Sequence, residues 1–281
     1  MTTQSASEPS FLPAIPTGPE RSFRVARPTE DGGIVSSSMP TGPWLNGPAG
    51  RPAAGALGVL IDNVLGYALM LNRPPGLWSI SAEISLDLAQ EFPADGSELT
   101  AQGRRLATDA TGGLASGAVF DADGQIIAVS RQHGRWVPDD AVAGAAPPAQ
   151  PGPAPGQAPA PAANLTELLG EHTHAHATDD GARLDLTVTP DLVNPLGNLH
   201  GGITLCLCDV LAHAALSGQR HPTPARTASI HVAYVRALPL GATASFHCEV
   251  AYRGRSFALI RIGAVNEAGK PCVIATVTTT R

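Results

Sequence analysis

The chain has 281 residues, of which 43% are hydrophobic, 15% charged and 4% aromatic, and its formal net charge is −6. That length and apolar content suffice to bury one or two cores, and the composition is not that of a disordered chain. The mild acidity offers no basic footprint for nucleic acid and no polybasic attraction to a membrane surface.

The first stretch, Met1 to Gly33, is rich in Ser, Pro and Glu and has no apolar core behind a basic start, so no secretory signal is expected. Residues 1–20 are expected to be a disordered tail ahead of a first domain at 21–137. Within that domain LGVLIDNVLGYAL is apolar on all sides, which predicts a buried helix, yet it carries Asp62. An alternating strand, ISAEISLDL, follows and includes Ser81; VFDADGQIIAVS then reads as a hairpin around Gly124. Pro138 to Ala163 is Pro- and Ala-rich, which predicts an extended linker. At about 3.1 Å per residue it reaches roughly 80 Å, enough to return across a domain.

The second domain is placed at 164–281. His172, His174 and His176 alternate near its start, but no carboxylate or cysteine completes a ligand set, so no metal site is assigned. Residues 182–189 form its opening strand, and the later strands fall at 226–237, 242–253, 256–266 and 271–280. Ile230, Val232 and Tyr234 alternate with Ser229, His231 and Ala233, as on a half-buried strand. Between them ITLCLCDVLAHAAL repeats the apolar helix with Asp209 inside it. The two aspartates lie 209 − 62 = 147 residues apart, and Gly269 follows Gly124 by 145. A steady offset over several elements argues for duplication. The apolar runs at 53–71 and 203–216 are interrupted by Gly and carboxylates and are not read as membrane spans. Cys206, Cys208, Cys248 and Cys272 have neither zinc nor Cys-x-x-Cys spacing; reduced and buried, they suit a cytoplasmic protein.

A carboxylate inside an apolar helix is costly unless paired, so two at matching positions point to use. Upstream of Asp209, Asn194-Pro195-Leu196-Gly197-Asn198-Leu199-His200-Gly201-Gly202 is a loop running into a helix start. Amide groups at such a start face outward at the positive end of the helix. Glycines there admit a carbonyl oxygen, whose developing negative charge the amides stabilise, while a nearby carboxylate activates water or attacks. That set suits acyl transfer to water.

The segment NPLGNLHGGITLCLCD resembles the His-Gly-Gly motif of PaaI-type hotdog thioesterases, with Asn194, Gly197, His200, Gly201 and Asp209 in matching places. Tyr234 and Gly241 fit the same pattern; the close resemblance covers about residues 164–281, and the first half is a weaker match. The resemblance implies an α+β tandem (double) hotdog, each half a central helix wrapped by an antiparallel β-sheet. It also implies hydrolysis of an acyl-CoA or aryl-CoA thioester with no cofactor beyond the CoA of the substrate. The Gly201 amide would hold the oxyanion, Asn194 and His200 would place the thioester beside Gly202, and Thr227 would assist the Asp.

In such enzymes the acid and the oxyanion loop of one site come from opposite protomers. Pairing the halves in that way sets Asp62, with Ser81 in the role of Thr227, against Asn194, His200 and Gly201. Asp209 then faces Ala53 and Ala54, with Asn46 nearby, so one competent site using Asp62 is expected; its rival makes Asp209 the working acid. Arg253 and Arg255, flanking Gly254, are candidates for the CoA phosphates. The partners expected are the acyl-CoA substrate and a second double-hotdog chain in a homo-oligomer. An enoyl-CoA hydratase or dehydratase on the same fold and a non-catalytic acyl-CoA-binding or regulatory protein are the alternatives.

Overall fold

The computed structural model describes residues 18–48, 50–138, 162–170, 173–217 and 226–280. The expected linker, the tail before residue 18 and His172 therefore lie wholly or mostly outside the described residues. Residues 18–20, expected in the tail, belong instead to a short helix, α1 (Gly18–Ser22). Phe23 and Val25 just beyond it are buried in the core, which is what fixes the segment.

Two series of elements follow. The first is β1 (Thr29–Asp31), β2 (Ile34–Pro40), α2 (Leu57–Met70), β3 (Leu77–Leu88), β4 (Glu98–Thr108), β5 (Gly112–Phe120) and β6 (Ile126–Pro138). After α3 (Leu165–Leu169) the second runs β7 (Ala175–Ala177), β8 (Gly181–Thr187), α4 (Gly201–Ser217), β9 (Arg226–Tyr234), β10 (Thr243–Arg253), β11 (Phe257–Asn266) and β12 (Pro271–Thr280).

All twelve strands join one sheet in the order β1-β2-β4-β5-β6-β3-β9-β12-β11-β10-β8-β7. The order reads the same from either edge once β1 to β6 are matched with β7 to β12. The two series meet where β3 and β9 pair antiparallel, and there Ser85 faces His231. These two are 231 − 85 = 146 residues apart, the same spacing as Ser81 and Thr227 (227 − 81 = 146). A residue paired with its own counterpart marks an approximate two-fold axis through the middle of the sheet.

Each long helix lies across its own strands and supplies the core. In α2, Leu57, Val59, Leu60, Ile61, Val64, Leu65 and Leu69 are fully enclosed, and in α4 Leu205, Leu207 and Leu211 are too. Each such side chain contributes about 1.5–3 kcal/mol on burial. Helix α2 stops because Asn72 takes a positive φ of 53° just past its end and Pro74 and Pro75 follow. All four cysteines are free and buried. Among the described residues no helix is long and apolar enough to cross a membrane.

The two helices cross near their N-termini with almost no side chain between them. A Cβ on Gly58 would lie 2.7 Å from the Gly202 carbonyl oxygen, and one on Gly202 would lie 2.4 Å from that of Gly58. Glycine at both positions is what lets two backbones touch. Gly58→Val is expected to lower stability by about 2–3 kcal/mol through overpacking, read as a lower urea midpoint.

Candidate active site

The close crossing brings the start of each helix against the aspartate of the other. The Gly202 amide donates to Asp62 Oδ2 at 3.0 Å, and the Gly55 amide donates to Asp209 Oδ2 at 2.9 Å. Two sites related by the pseudo-two-fold axis result, each built from both halves.

The loop ahead of each helix keeps one backbone shape. Asn194 N–H donates to the Asn198 carbonyl at 2.8 Å and Gly197 N–H to that of Asn194 at 2.9 Å. Gly47 N–H to Arg51, also 2.8 Å, and Gly50 N–H to Gly47, also 2.9 Å, repeat the pattern. Gly197 and Gly50 have φ of 71° and 72°, left-handed conformations that only glycine adopts cheaply. By this register Gly47 is the counterpart of Asn194, and Ala53, Ala54 and Gly55 are those of His200, Gly201 and Gly202. Asn46 pairs with Pro52 as Val193 pairs with Leu199, so its counterpart is Val193. The first half thus retains the loop but has lost the Asn and His side chains and the first glycine of the pair.

At the Asp62 site, Ser81 Oγ donates to Asp62 Oδ1 at 3.1 Å, and Gln132 Nε2 donates to Ser81 Oγ at 2.8 Å. A hydroxyl has one proton, so a serine that donates to the carboxylate must receive its second bond from the amide N–H. His200 Nδ1 lies 3.2 Å from Asp62 Oδ2 and 3.0 Å from the Gly202 nitrogen, while its Nε2 faces Glu20 Oε1 at 3.3 Å. Burial opposes the charged imidazole, but Asp62 and Glu20 outweigh it and raise the pKa of His200. Asn194 Oδ1 accepts from the amides of Leu196 at 2.9 Å and Asn198 at 3.1 Å, so this oxygen shapes the loop.

The Gly201 amide, by contrast, donates to no acceptor among the described residues and borders the cleft. Its carbonyl is held by the Tyr234 hydroxyl at 2.8 Å. Burial first, and then Asp62, pushes the ionisation of that phenol well above its usual range, so it stays a donor. A Cβ at residue 201 would come within 2.7 Å of Asp62 Oδ2. The cleft beside these groups measures about 270 Å³, and Tyr67, Met70, Trp78, Ile80 and Leu238 give it an apolar wall.

At the Asp209 site, Thr227 Oγ1 donates to Asp209 Oδ1 at 2.5 Å and His213 Nε2 lies 2.9 Å from Thr227 Oγ1. His213 stands where the other half has Gly66 (213 − 66 = 147). Each half therefore gives its hydroxyl an N–H partner from a different element: Gln132 on β6, or His213 on α4. The Asp209 side chain is fully enclosed, and the cleft beside it holds only about 40 Å³.

The structure gathers Asp62, Ser81, Asn194, His200 and Gly201 around one cleft, and Asp209 with Thr227 around the other; Gly202 lines neither and meets Asp62 behind the first. Arg253 and Arg255 sit exposed at the β10–β11 hairpin and line neither cleft; the arginines at the mouth of the larger one are Arg135 and Arg236. Three partners were not foreseen. Gln132 had a readable signal, since a polar residue occupies an inward position of an alternating strand. Tyr67 looked like core, and Glu20 had no signal at all. Among the described residues no group of three His, Cys, Asp or Glu is arranged to hold a metal ion.

A family model described as acyl-CoA thioesterase N-terminal domain matches residues 189–280. Human acyl-coenzyme A thioesterase 13 is 25% identical over 107 residues, covering 38% of this chain and 76% of that protein. Among solved structures, the tesB protein of Mycobacterium avium subs paratuberculosis superposes with a TM-score of 0.59 at 13% identity, covering 90% of this chain and 94% of that one. The acyl-CoA thioesterase II TesB2 of Mycobacterium marinum gives 0.59 at 9%, covering 93% and 97%. The fold is that of these thioesterases, and with the family match it supports a thioesterase enzyme. These two neighbours, which span nearly the whole chain, carry TesB names, and the 12:0-ACP thioesterase of Umbellularia californica superposes with a TM-score of 0.58 at 10% identity, covering 88% and 94%.

The enclosed Asp209 carboxylate is expected to serve the fold. Asp209→Asn sets an amide N–H against a donor and should cost about 1–3 kcal/mol in urea unfolding; an unchanged midpoint would contradict that role.

Proposed function

We propose that the protein hydrolyses an acyl-CoA thioester at a single composite site using Asp62, on a tandem hotdog frame of TesB-like outline with a PaaI-like His-Gly-Gly loop. The observation that carries this is the pairing of a free helix-start amide, Gly201, with an ionisable carboxylate from the other half, both on the larger cleft.

The thioester carbonyl oxygen is received by the Gly201 N–H at the positive end of α4, where its negative charge develops as the carbon becomes tetrahedral. Asp62 acts on that carbon, either by taking a proton from an attacking water or by direct attack. Three neighbours orient it: Ser81 on Oδ1, and the Gly202 amide and His200 on Oδ2. A carboxylate has about four acceptor sites, so one remains on Oδ1 for water. The side chain is 11% exposed, enough for one edge to reach the cleft. Collapse of the adduct expels the CoA thiolate, which takes up the proton that Asp62 drew from water. After direct attack, water instead cleaves the acyl–Asp62 anhydride, giving the free acid, the regenerated carboxylate and the proton for the thiolate.

Both nitrogens of His200 are engaged by the protein. That disfavours an enoyl-CoA hydratase in which the imidazole works on the substrate, and crotonyl-CoA hydration is expected to be absent. The Asp209 site lacks the His and the first Gly, and its small cleft does not suit a thioester. Asp62→Asn should cut turnover of a CoA-thioester panel, followed by thiol release, by roughly 10²–10⁴-fold. Asp209→Asn should stay within about tenfold at a temperature where it is folded. Equal losses would refute the single site.

The exposed Arg135 and Arg236 at the cleft mouth are the groups best placed to meet CoA phosphates. Replacing both with Ala is expected to raise KM about tenfold with little change in kcat, whereas Arg253→Ala with Arg255→Ala should do neither.

A further inference from the structure

The N-terminal segment reaches across to the loop of the second half. Gly18 packs so tightly on it that a Cβ would lie 2.6 Å from the Asp191 Cα and 2.7 Å from the Pro190 carbonyl oxygen, both backbone. Arg21 pairs with Asp191 at 3.1 Å on the outer side. Between these anchors the Glu20 side chain turns inward and is 9% exposed, an unusual place for a carboxylate unless a partner awaits it. That partner is His200, itself 4% exposed, with Asp62 on its opposite nitrogen. Glu20, His200 and Asp62 form a line drawn from three separate parts of the chain.

We propose that Glu20 is a positioning residue for the hydrolysis: by gripping Nε2 of His200 it holds the imidazole doubly protonated, with Nδ1–H directed at Asp62. The inference rests on the Asp62 reading above. Its consequence lies in how Oδ2 of Asp62 is partnered. In a neutral imidazole whose Nε2–H goes to Glu20, Nδ1 is an acceptor and competes with Asp62 for the one Gly202 N–H, which is 3.0 Å from each. In the doubly protonated ring Nδ1 is a donor. Asp62 then keeps the Gly202 amide to itself and gains a second, charge-assisted bond, so the carboxylate is fixed in place. The Ala53 loop has no counterpart to this line.

Other groups face it. Tyr67 of α2 lies near Glu20, which after burial is the second cause raising its pKa, and Arg27 opposes that rise. Tyr234 of β9 faces Asp62, and Cys208 of α4 acts on Tyr234. None of these is a cation in contact with His200; burial and the Gly202 N–H at Nδ1 favour the neutral ring, and the two carboxylates oppose them. The sign follows: a doubly protonated His200 is present below its raised pKa and is lost as pH rises through it. Removing the Glu20 charge lowers that pKa and moves the loss to lower pH.

The test follows the ¹⁵N resonances of His200 and the pH profile of kcat/KM in the full-length wild type, Glu20→Gln, Arg21→Ala and Asp62→Asn. Wild type is expected to show both ring nitrogens protonated at pH 7. Glu20→Gln should titrate lower, with its high-pH limb displaced downward and roughly tenfold less activity above neutrality. Arg21→Ala loosens the strap but keeps Glu20, and should not move the titration. A neutral ring in wild type overturns the proposal even if Glu20→Gln does not fold, as does an unmoved profile in Glu20→Gln or an equal shift in Arg21→Ala. Full turnover in Asp62→Asn would sink the site reading instead; the His200 titration would still report on Glu20.

Discussion

The structure turns on one contact made twice: a carboxylate from one buried helix accepts from a backbone amide at the entry to the other. Neither half can meet this need alone. Asp62 depends on Gly202, and Asp209 on Gly55. An unpaired buried carboxylate costs several kcal/mol, and the start of a helix is where backbone charge best offsets it. To bring the groups within 3 Å the helices must cross backbone to backbone. The glycines at 55, 58 and 202 follow from that distance, because a Cβ at any of them would meet the facing helix.

A two-fold frame makes two sites geometrically equal, and the side chains then make them different. The backbones of residues 47–55 and 194–202 share their turns and their left-handed glycine. Where one loop has Asn, His and Gly the other has Gly47, Ala53 and Ala54, and the cleft falls from about 270 to about 40 Å³. The reduced site still holds its acid tightly through Thr227 and His213. One pairing remains a structural joint while its twin is open to a ligand, so a fold that needs both aspartates can use one for chemistry.

Much of this was legible in the residues. The apolar runs located both helices, their 147-residue offset pointed to duplication, and the loss of His and Gly from the first loop set Asp62 against the complete loop of the other half. Ser81 was identified through Thr227 by the same logic. The strands of the second half fell within about three residues of their observed ends, since half-buried strands must alternate. What failed had physical causes. Glu20 is 180 residues from His200 and lies in no motif of its own. Gln132 is 51 residues from Ser81 and reaches it only through the pairing of β6 with β3. Arg253 and Arg255 were chosen for turn chemistry, but the hairpin carries them away from the cleft. Asn46 missed by one position, because the backbone register pairs it with Val193 and not with Asn194.

The account is tested most directly by a structure with a non-hydrolysable acyl-CoA analogue bound. It predicts the carbonyl oxygen about 3 Å from the Gly201 nitrogen, with the adjoining carbon facing Asp62. An analogue seated instead beside Asp209, or with its carbonyl turned away from the start of α4, would contradict it.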